Sequence, residues 1–289
     1  MRVLITGASS FVGAHFALEA AQDHEVIATH YSTPLQLPRI SSVRVDLCSS
    51  RAKLQLRKLD VDVVVHLACK IKSQKGSTQS PQEQNSAMLE QIIALGKPIL
   101  YASSTAVHWP KETPYVLSRR KDEDRIRSCG LPYGILRPSA PYGSKLISHV
   151  PGHKESFHTL VEMIRYSPIV PMISDGKYKR TPIHVRDFAR IGLSMLDMGL
   201  DGLELDAGGG SILSMREIID MIALRMDKNP KILSVPKKVF TWLAHRTKNF
   251  EPSLIDAIDQ DEYIDPQPIV FETGIEPRSF AQGLSDLLR

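Results

Sequence analysis

Cysteine is scarce in this chain, with three in 289 residues, Cys48, Cys69 and Cys129, and no two of them form a CxxC pair. An odd, widely spaced set excludes a disulfide framework and gives no zinc site, and it fits a reducing compartment. Long apolar runs are also missing. The longest, Val61 to Cys69, is interrupted by Asp62 and His66, and it is far shorter than the roughly 20 residues of a membrane span. The N-terminus lacks the basic and long apolar segments of a signal peptide and enters the strand-like run Val3-Leu4-Ile5 at once. An excess of one charge is lacking too: 36 Lys and Arg against 32 Asp and Glu leave a formal charge of +4, too little over this length to imply a nucleic-acid partner. Internal repeats and low-complexity tracts are absent. These absences lead to the expectation of a cytoplasmic protein with no nucleic-acid, membrane or metal partner.

What is present is an ordinary globular composition, 42% hydrophobic and 24% charged, in a chain about twice the usual domain length of roughly 150 residues. Short β-branched runs alternate with segments of helical period through the first half. Strands are expected at Arg2 to Ile5, Glu25 to Thr29, Ser42 to Asp46, Val61 to Leu67, Ile99 to Ser103 and Gly134 to Arg137. Between several of them lie amphipathic stretches such as Phe11 to Ala21 and Gln84 to Leu95, with apolar residues recurring at three and four. A βαβ series of this kind makes an α/β fold with a parallel sheet covered on both faces. After about Pro141 the rhythm breaks, and the second half reads as a smaller cap. By composition, Ser73 to Pro81 is the clearest loop.

The first motif that carries chemistry is Thr6-Gly7-Ala8-Ser9-Ser10-Phe11-Val12-Gly13, between the first strand and the first helix. Gly7 permits a tight turn, Gly13 allows close packing of the helix, and N–H groups at the helix start face a pyrophosphate. Here the chain resembles the extended short-chain dehydrogenase/reductase family, in its nucleotide-sugar-modifying epimerase/dehydratase branch, whose pattern is TGxxGxxG. The family's middle glycine is Ser10 in this chain. Further segments resemble the family in the family's own order: Asp46-Leu47 after the third strand, His66-Leu67-Ala68, Asn85 opening the next helix, and Tyr101 to His108 for "SSxxVYG". Leu136-Arg137-Pro138 with Pro141-Tyr142-Gly143 resembles "LRPxxxYG", Arg180 to Asp187 resembles "RxFIHVxD", and Gly274 to Pro277 with Gly283-Leu284 resembles the C-terminal ending.

The resemblance implies a Rossmann-like, doubly wound parallel sheet with a smaller C-terminal substrate-binding cap. Residues 1–143 are then the NAD(P)-binding domain, with segments from about 180–210 returning to it, and residues 144–289 are mainly cap. It places the cofactor against Gly7, Ser9, Ser10, Phe11, Val12 and Gly13, against His30 and Ser32 at the end of the second strand, and against Asp46, Leu47, Leu67 and Ala68. Binders of NAD normally carry an acid at the end of that second strand. This chain has His30, Ser32 and Thr33 there, with Arg39 beyond, so NADP is expected ahead of NAD.

Catalysis in the family uses Ser or Thr, Tyr, and Lys four residues after the Tyr. The matching positions are Ser104, Tyr115 and Arg119, with Tyr115 and Arg119 also against the cofactor and Ser104 also against the substrate. Residues at i and i+4 share one helix face, so Arg119 approaches Tyr115. Arginine stays charged and binds as a planar fork, so it does not copy lysine contact for contact. Arg180 matches a family arginine that holds a substrate phosphate; His184 and Asp187 are expected to fasten the cap to the sheet. His149, His153 and His158 are read as loop polarity. Sugar 4,6-dehydratases carry Asp-Glu directly after the catalytic Ser or Thr, whereas Thr105 and Ala106 follow Ser104 here. The implied activity is therefore an NAD(P)-dependent 4-keto-sugar reductase or epimerase acting on a nucleotide-linked sugar or similar small carbonyl compound, with a homodimer as an admissible assembly. The alternative is an NAD(P)-binding regulatory or sensor protein with little or no turnover, motivated by Ser10 and Arg119.

Overall fold

The computed structural model describes residues 1–71, 79–146, 155–246 and 259–289. Six short strands follow one another through the first half: β1 (Arg2–Thr6), β2 (Glu25–His30), β3 (Ser41–Arg44), β4 (Val63–His66), β5 (Ile99–Ala102) and β6 (Tyr133–Pro138). In β1, β2, β4 and β5 the Val, Ile and Leu side chains are buried on both faces, as an internal parallel sheet requires. Two short strands, β7 (Ile169–Ile173) and β8 (Lys179–Arg180), precede β9 (Asp201–Ala207), which returns to the sheet beside β6. The seven strands lie in the order β3-β2-β1-β4-β5-β6-β9, all parallel. Strand order reverses direction between β1 and β4, and the crevice at their C-terminal ends is where ligands bind in sheets of this kind.

Helices α1 (Phe11–Ala20), α2 (Ala52–Leu56), α3 (Pro81–Ile93), α4 (Pro114–Arg127), α5 (Ser156–Tyr166) and α6 (Val185–Asp197) cover the sheet and begin the cap. One face of the sheet packs Val3, Ile5 and Leu100 against Phe16 of α1 and Phe188 of α6, whose rings meet edge-on at 6.3 Å. The other face packs Leu4, Val64 and Ile99 against Leu56, Leu89 and Ile126 of α2, α3 and α4. The position of α4 matters most for the site, and a buried arginine sets it. Arg137 of β6 donates to both carboxylate oxygens of Glu123 on α4, at 2.7 Å each, and reaches Glu204 and Asp206 of β9. A bidentate pair with further carboxylates satisfies the fork's planar geometry and offsets the cost of burying it.

The cap adds β10 (Leu213–Ser214), α7 (Met215–Arg225), β11 (Lys231–Val235), α8 (Lys237–Arg246), α9 (Gln267–Thr273) and α10 (Phe280–Leu287). Strands β8 and β10 pair antiparallel, and β7 and β11 pair parallel. Its core gathers Tyr142, Phe157, Ile218 and Phe280, with the Tyr142 and Phe280 rings 4.8 Å apart. Asp187 on α6 binds the Arg278 guanidinium through both oxygens, at 2.8 and 2.9 Å, and accepts from the Arg278 N–H as well. His184 caps α6, with burial and then the Arg278 charge pulling its pKa down to about 4. Among the described residues, no helix is long and apolar enough to cross a membrane.

Two readings of the sequence differ from the structure, and a third falls largely outside the described residues. Helix α3 starts at Pro81, capped by Ser80 and Glu83 in a reciprocal box, so Asn85 sits in its second turn and does not open it. Most of the expected loop from Ser73 lies outside the described residues. Of the three histidines read as loop polarity, His149 and His153 also lie outside them, but His158 is buried in α5, where its Nδ1 accepts from the Glu155 N–H and its Nε2 meets the Gly143 carbonyl at 2.9 Å.

Candidate active site

The turn after β1 is built around Gly7, at φ +69°, where a Cβ would lie 2.7 Å from the backbone of Ala68. A Cβ on Gly13 would lie 2.2 Å from the Gly7 carbonyl, so α1 starts pressed against the turn. Ser9 lies in this turn, and Ser10 takes the family's glycine position without strain. Its backbone is extended, at φ −84°, and its hydroxyl caps α1 by accepting from the Gly13 N–H at 3.0 Å. The N–H groups of Phe11 and Val12 then belong to the open first turn, whose dipole favours an anion.

Around this turn, Thr6 accepts from the Ala68 N–H through its hydroxyl and from the Leu67 N–H through its carbonyl. Asn85 clamps the same segment from α3, accepting from the Lys70 N–H at 2.7 Å and donating to the Lys70 carbonyl. At the end of β2, His30 pairs in register with Arg44 of β3, and the Arg44 guanidinium stands 5.7 Å from the Tyr31 ring centre. His30 Nδ1 is buried without a hydrogen-bond partner. Ser32 is exposed just beyond; Leu47 is buried after β3, where Asp46 accepts from the Cys48 N–H. A turn that a Cβ would fill, an open helix N-terminus and an unpartnered His30 nitrogen fit a nicotinamide dinucleotide lying across β1, β2 and β4.

Ser104, Tyr115 and Arg119 come together past the C-terminal end of β5. Thr113 caps α4 and Pro114 opens it, which sets Tyr115 in the first turn and Arg119 one turn on. Arg119 is 2% exposed, and its guanidinium lies 5.9 Å from the Tyr115 ring centre and 5.6 Å from that of Tyr101. Burial pushes the Tyr115 phenol up to about 12 and a nearby Cys69 adds to this, while Arg119 and the Ser104 hydroxyl pull it down. Tyr115 is thus a protonated donor across the neutral range.

The bulk of arginine in place of lysine is absorbed by a neighbour that the sequence did not single out. Asp122, one turn further along α4, accepts from Arg119 at 2.9 Å and from the Tyr101 hydroxyl at 3.3 Å. Burial opposes the Arg119 charge, but Cys69, Tyr101, Tyr115 and Asp122 more than offset it and raise its pKa. With one edge of the fork held by Asp122, Nε remains buried and unpartnered. His66 stacks on Tyr101 at 5.9 Å and hydrogen-bonds Thr6 at 2.7 Å; burial and then Arg119 lower its pKa to about 3, so it is neutral. Thr6, His66 and Tyr101 therefore link the glycine turn to Arg119.

Arg180 is buried in the cap on β8, where it donates to the carbonyls of Lys179 and Gln260 and stands 4.9 Å from the Tyr178 ring centre. These contacts of its guanidinium all lie within the cap. Instead a second missed residue bridges the cap to the sheet: Glu262, 7% exposed, hydrogen-bonds the hydroxyl of Thr105, next to Ser104. Its backbone is held by the Lys179 carbonyl and the Thr181 hydroxyl.

A model of the NAD dependent epimerase/dehydratase family matches residues 3–207. The chain is similar to a ceramide reductase of Caulobacter vibrioides, 28% identical over 81% of this chain and 73% of the relative. It is similar to a dTDP-4-dehydro-6-deoxy-D-allose reductase of Streptomyces bikiniensis, 24% identical over 95% of this chain and 94% of that protein. Among solved structures, UDP-glucuronic acid 4-epimerase from Bacillus cereus, in complex with UDP-glucuronic acid and NAD, has the same fold. Its TM-score is 0.77 at 19% identity, covering 100% of this chain and 98% of that one.

Proposed function

The chain belongs to the NAD dependent epimerase/dehydratase family, and we propose that within it this protein is an NADPH-dependent reductase acting on the carbonyl of a nucleotide-linked 4-keto sugar. The observation that carries the reading is the protonated Tyr115 beside Ser104 and Arg119, next to a turn suited to a dinucleotide. When bound, a reduced nicotinamide supplies hydride. The Ser104 hydroxyl holds the carbonyl oxygen, and the Tyr115 hydroxyl donates its proton to that oxygen as the C–H bond forms. Arg119 stabilises the phenolate left behind, which stays buried and needs a cation beside it. A carbonyl and a proton donor thus become an alcohol and a phenolate, and solvent reprotonates Tyr115.

Reduction is favoured over epimerisation by the relatives' names, a ceramide reductase and a keto-sugar reductase, and by the strand end. No acidic residue lies between Glu25 and Asp46, while His30, Arg39 and Arg44 do. This segment offers donors and positive charge to a 2'-phosphate and no carboxylate to accept from ribose hydroxyls. NADPH is therefore expected to bind more tightly than NADH, and His30→Asp should reverse the order by setting a like charge beside the phosphate. Calorimetry checks this, and equal affinity of the unmodified protein for the two nucleotides defeats it. The ceramide reductase relative also supports a second reading in which the carbonyl belongs to a long-chain amide lipid. Arg180 Nη1 donates to the carbonyls of Lys179 and Gln260, so a substrate phosphate would be met by the rest of its guanidinium.

A further inference from the structure

Glu262 is a buried carboxylate without a buried cation. More than nine-tenths of its surface is covered, and among the described residues its side chain has a single partner, the Thr105 hydroxyl. Among the described residues no ion pair includes it, although the comparably buried Glu123 and Asp187 are each held by an arginine fork. Only Oε1 meets Thr105, and neither Glu262 oxygen is among the buried polar atoms left without a partner, so Oε2 is open to a further donor. The missing partner has a place. Thr105 directly follows Ser104, and its hydroxyl also faces the Pro138 carbonyl at the end of β6. Ser139 and Thr181 lie on the same side, 3.5 Å apart through their hydroxyls, with Thr181 bonded to the Glu262 carbonyl. Through Thr105 the carboxylate is held next in sequence to Ser104, the residue to which the proposed reaction assigns the carbonyl oxygen.

We infer that Glu262 is a substrate-recognition residue: it accepts a hydrogen bond from a hydroxyl or amide N–H of a carbonyl substrate whose group at that position is uncharged, and it turns away substrates that carry a carboxylate there. The inference rests on the carbonyl-reductase reading and adds the substrate's charge to it. An ionised carboxylate accepts only, so it rewards a donor, and in a water-poor site it penalises a second anion strongly. Specificity here comes as much from the repulsion as from the new hydrogen bond.

UDP-glucose and UDP-glucuronate differ at one carbon, as CH2OH against a carboxylate, and serve as the probe pair. On the NADP+-loaded protein, calorimetry should give at least about tenfold tighter binding of UDP-glucose. Glu262→Gln, which keeps the shape and removes the charge, should bring the two within about threefold, chiefly by gaining affinity for UDP-glucuronate. Thr105→Val removes the partner but leaves the charge, and should keep the discrimination. If neither nucleotide sugar binds the unmodified protein, the nucleotide-sugar reading fails, and the carboxylate is judged by NADPH oxidation with glyceraldehyde against glyoxylate, again an uncharged hydroxyl compound against an anion. The inference is overturned if no preference for the uncharged member emerges in either pair, or if Glu262→Gln leaves the ratio unchanged.

Discussion

Tyr115→Phe should lower turnover by roughly 10²- to 10⁴-fold, the usual loss when a positioned general acid is removed, while leaving nucleotide affinity nearly unchanged. The ring stays, so its face remains available to the Arg119 guanidinium 5.9 Å away, and α4 keeps its Thr113 cap and its anchor at Glu123. Only the proton donor disappears. Because burial holds the phenol near 12, the donor form persists through neutral pH and is lost only as pH rises toward that value. Reduction should therefore show no alkaline decline in the neutral range from this group. Steady-state turnover with NADPH, read beside calorimetric affinity for NADP+, checks the expectation. A phenylalanine variant as fast as the parent removes Tyr115 from the chemistry even if the protein is a reductase.

Gly7→Val should abolish binding of both NADPH and NADH. Gly7 is at φ +69° with Ala68 N and Cα 2.7 Å from the place a Cβ would take, so a side chain meets backbone that has nowhere to move. An L-residue in this left-handed region costs about 1–2 kcal/mol before any clash, and a β-branched one more. The strain falls on the turn that starts α1 and on the Leu67-Ala68 segment beside it, the two segments proposed to hold the dinucleotide. Gly130→Ala is the control. Gly130 has φ +72° but nothing within 4 Å of its Cβ position, so that variant carries the backbone cost alone and should bind both nucleotides like the parent. Calorimetry of the two variants, with thermal melting to establish that each is folded, makes the comparison.

The sheet was legible because parallel strands covered on both faces must be continuously apolar and β-branched, and Val63 to His66 or Ile99 to Ala102 are little else. The glycine turn was legible because its demands are local. Asn85 was misplaced because the capping box at Ser80 and Glu83, with Pro81 between, outweighs the later apolar period. His158 was misread because prolines and histidines conceal α5, whose Phe157, Val161 and Ile164 are nonetheless buried at helical spacing. Asp122 carried a signal, lying three residues after a catalytic-position arginine and hence on the same helix face. Glu262 carried none. It meets Thr105 across 157 residues of chain, a contact that exists only once the cap has folded back over the sheet.

Net hydride transfer from NADPH to a carbonyl is measured by giving the protein NADPH deuterated at the transferring position together with dTDP-4-keto-6-deoxyglucose and following both products by mass. One NADP+ is expected for each sugar reduced, with one deuterium in the product at the former carbonyl carbon. An interconverted sugar that carries no deuterium while NADPH is not consumed overturns the reductase reading, and so does nucleotide binding with no chemistry at all.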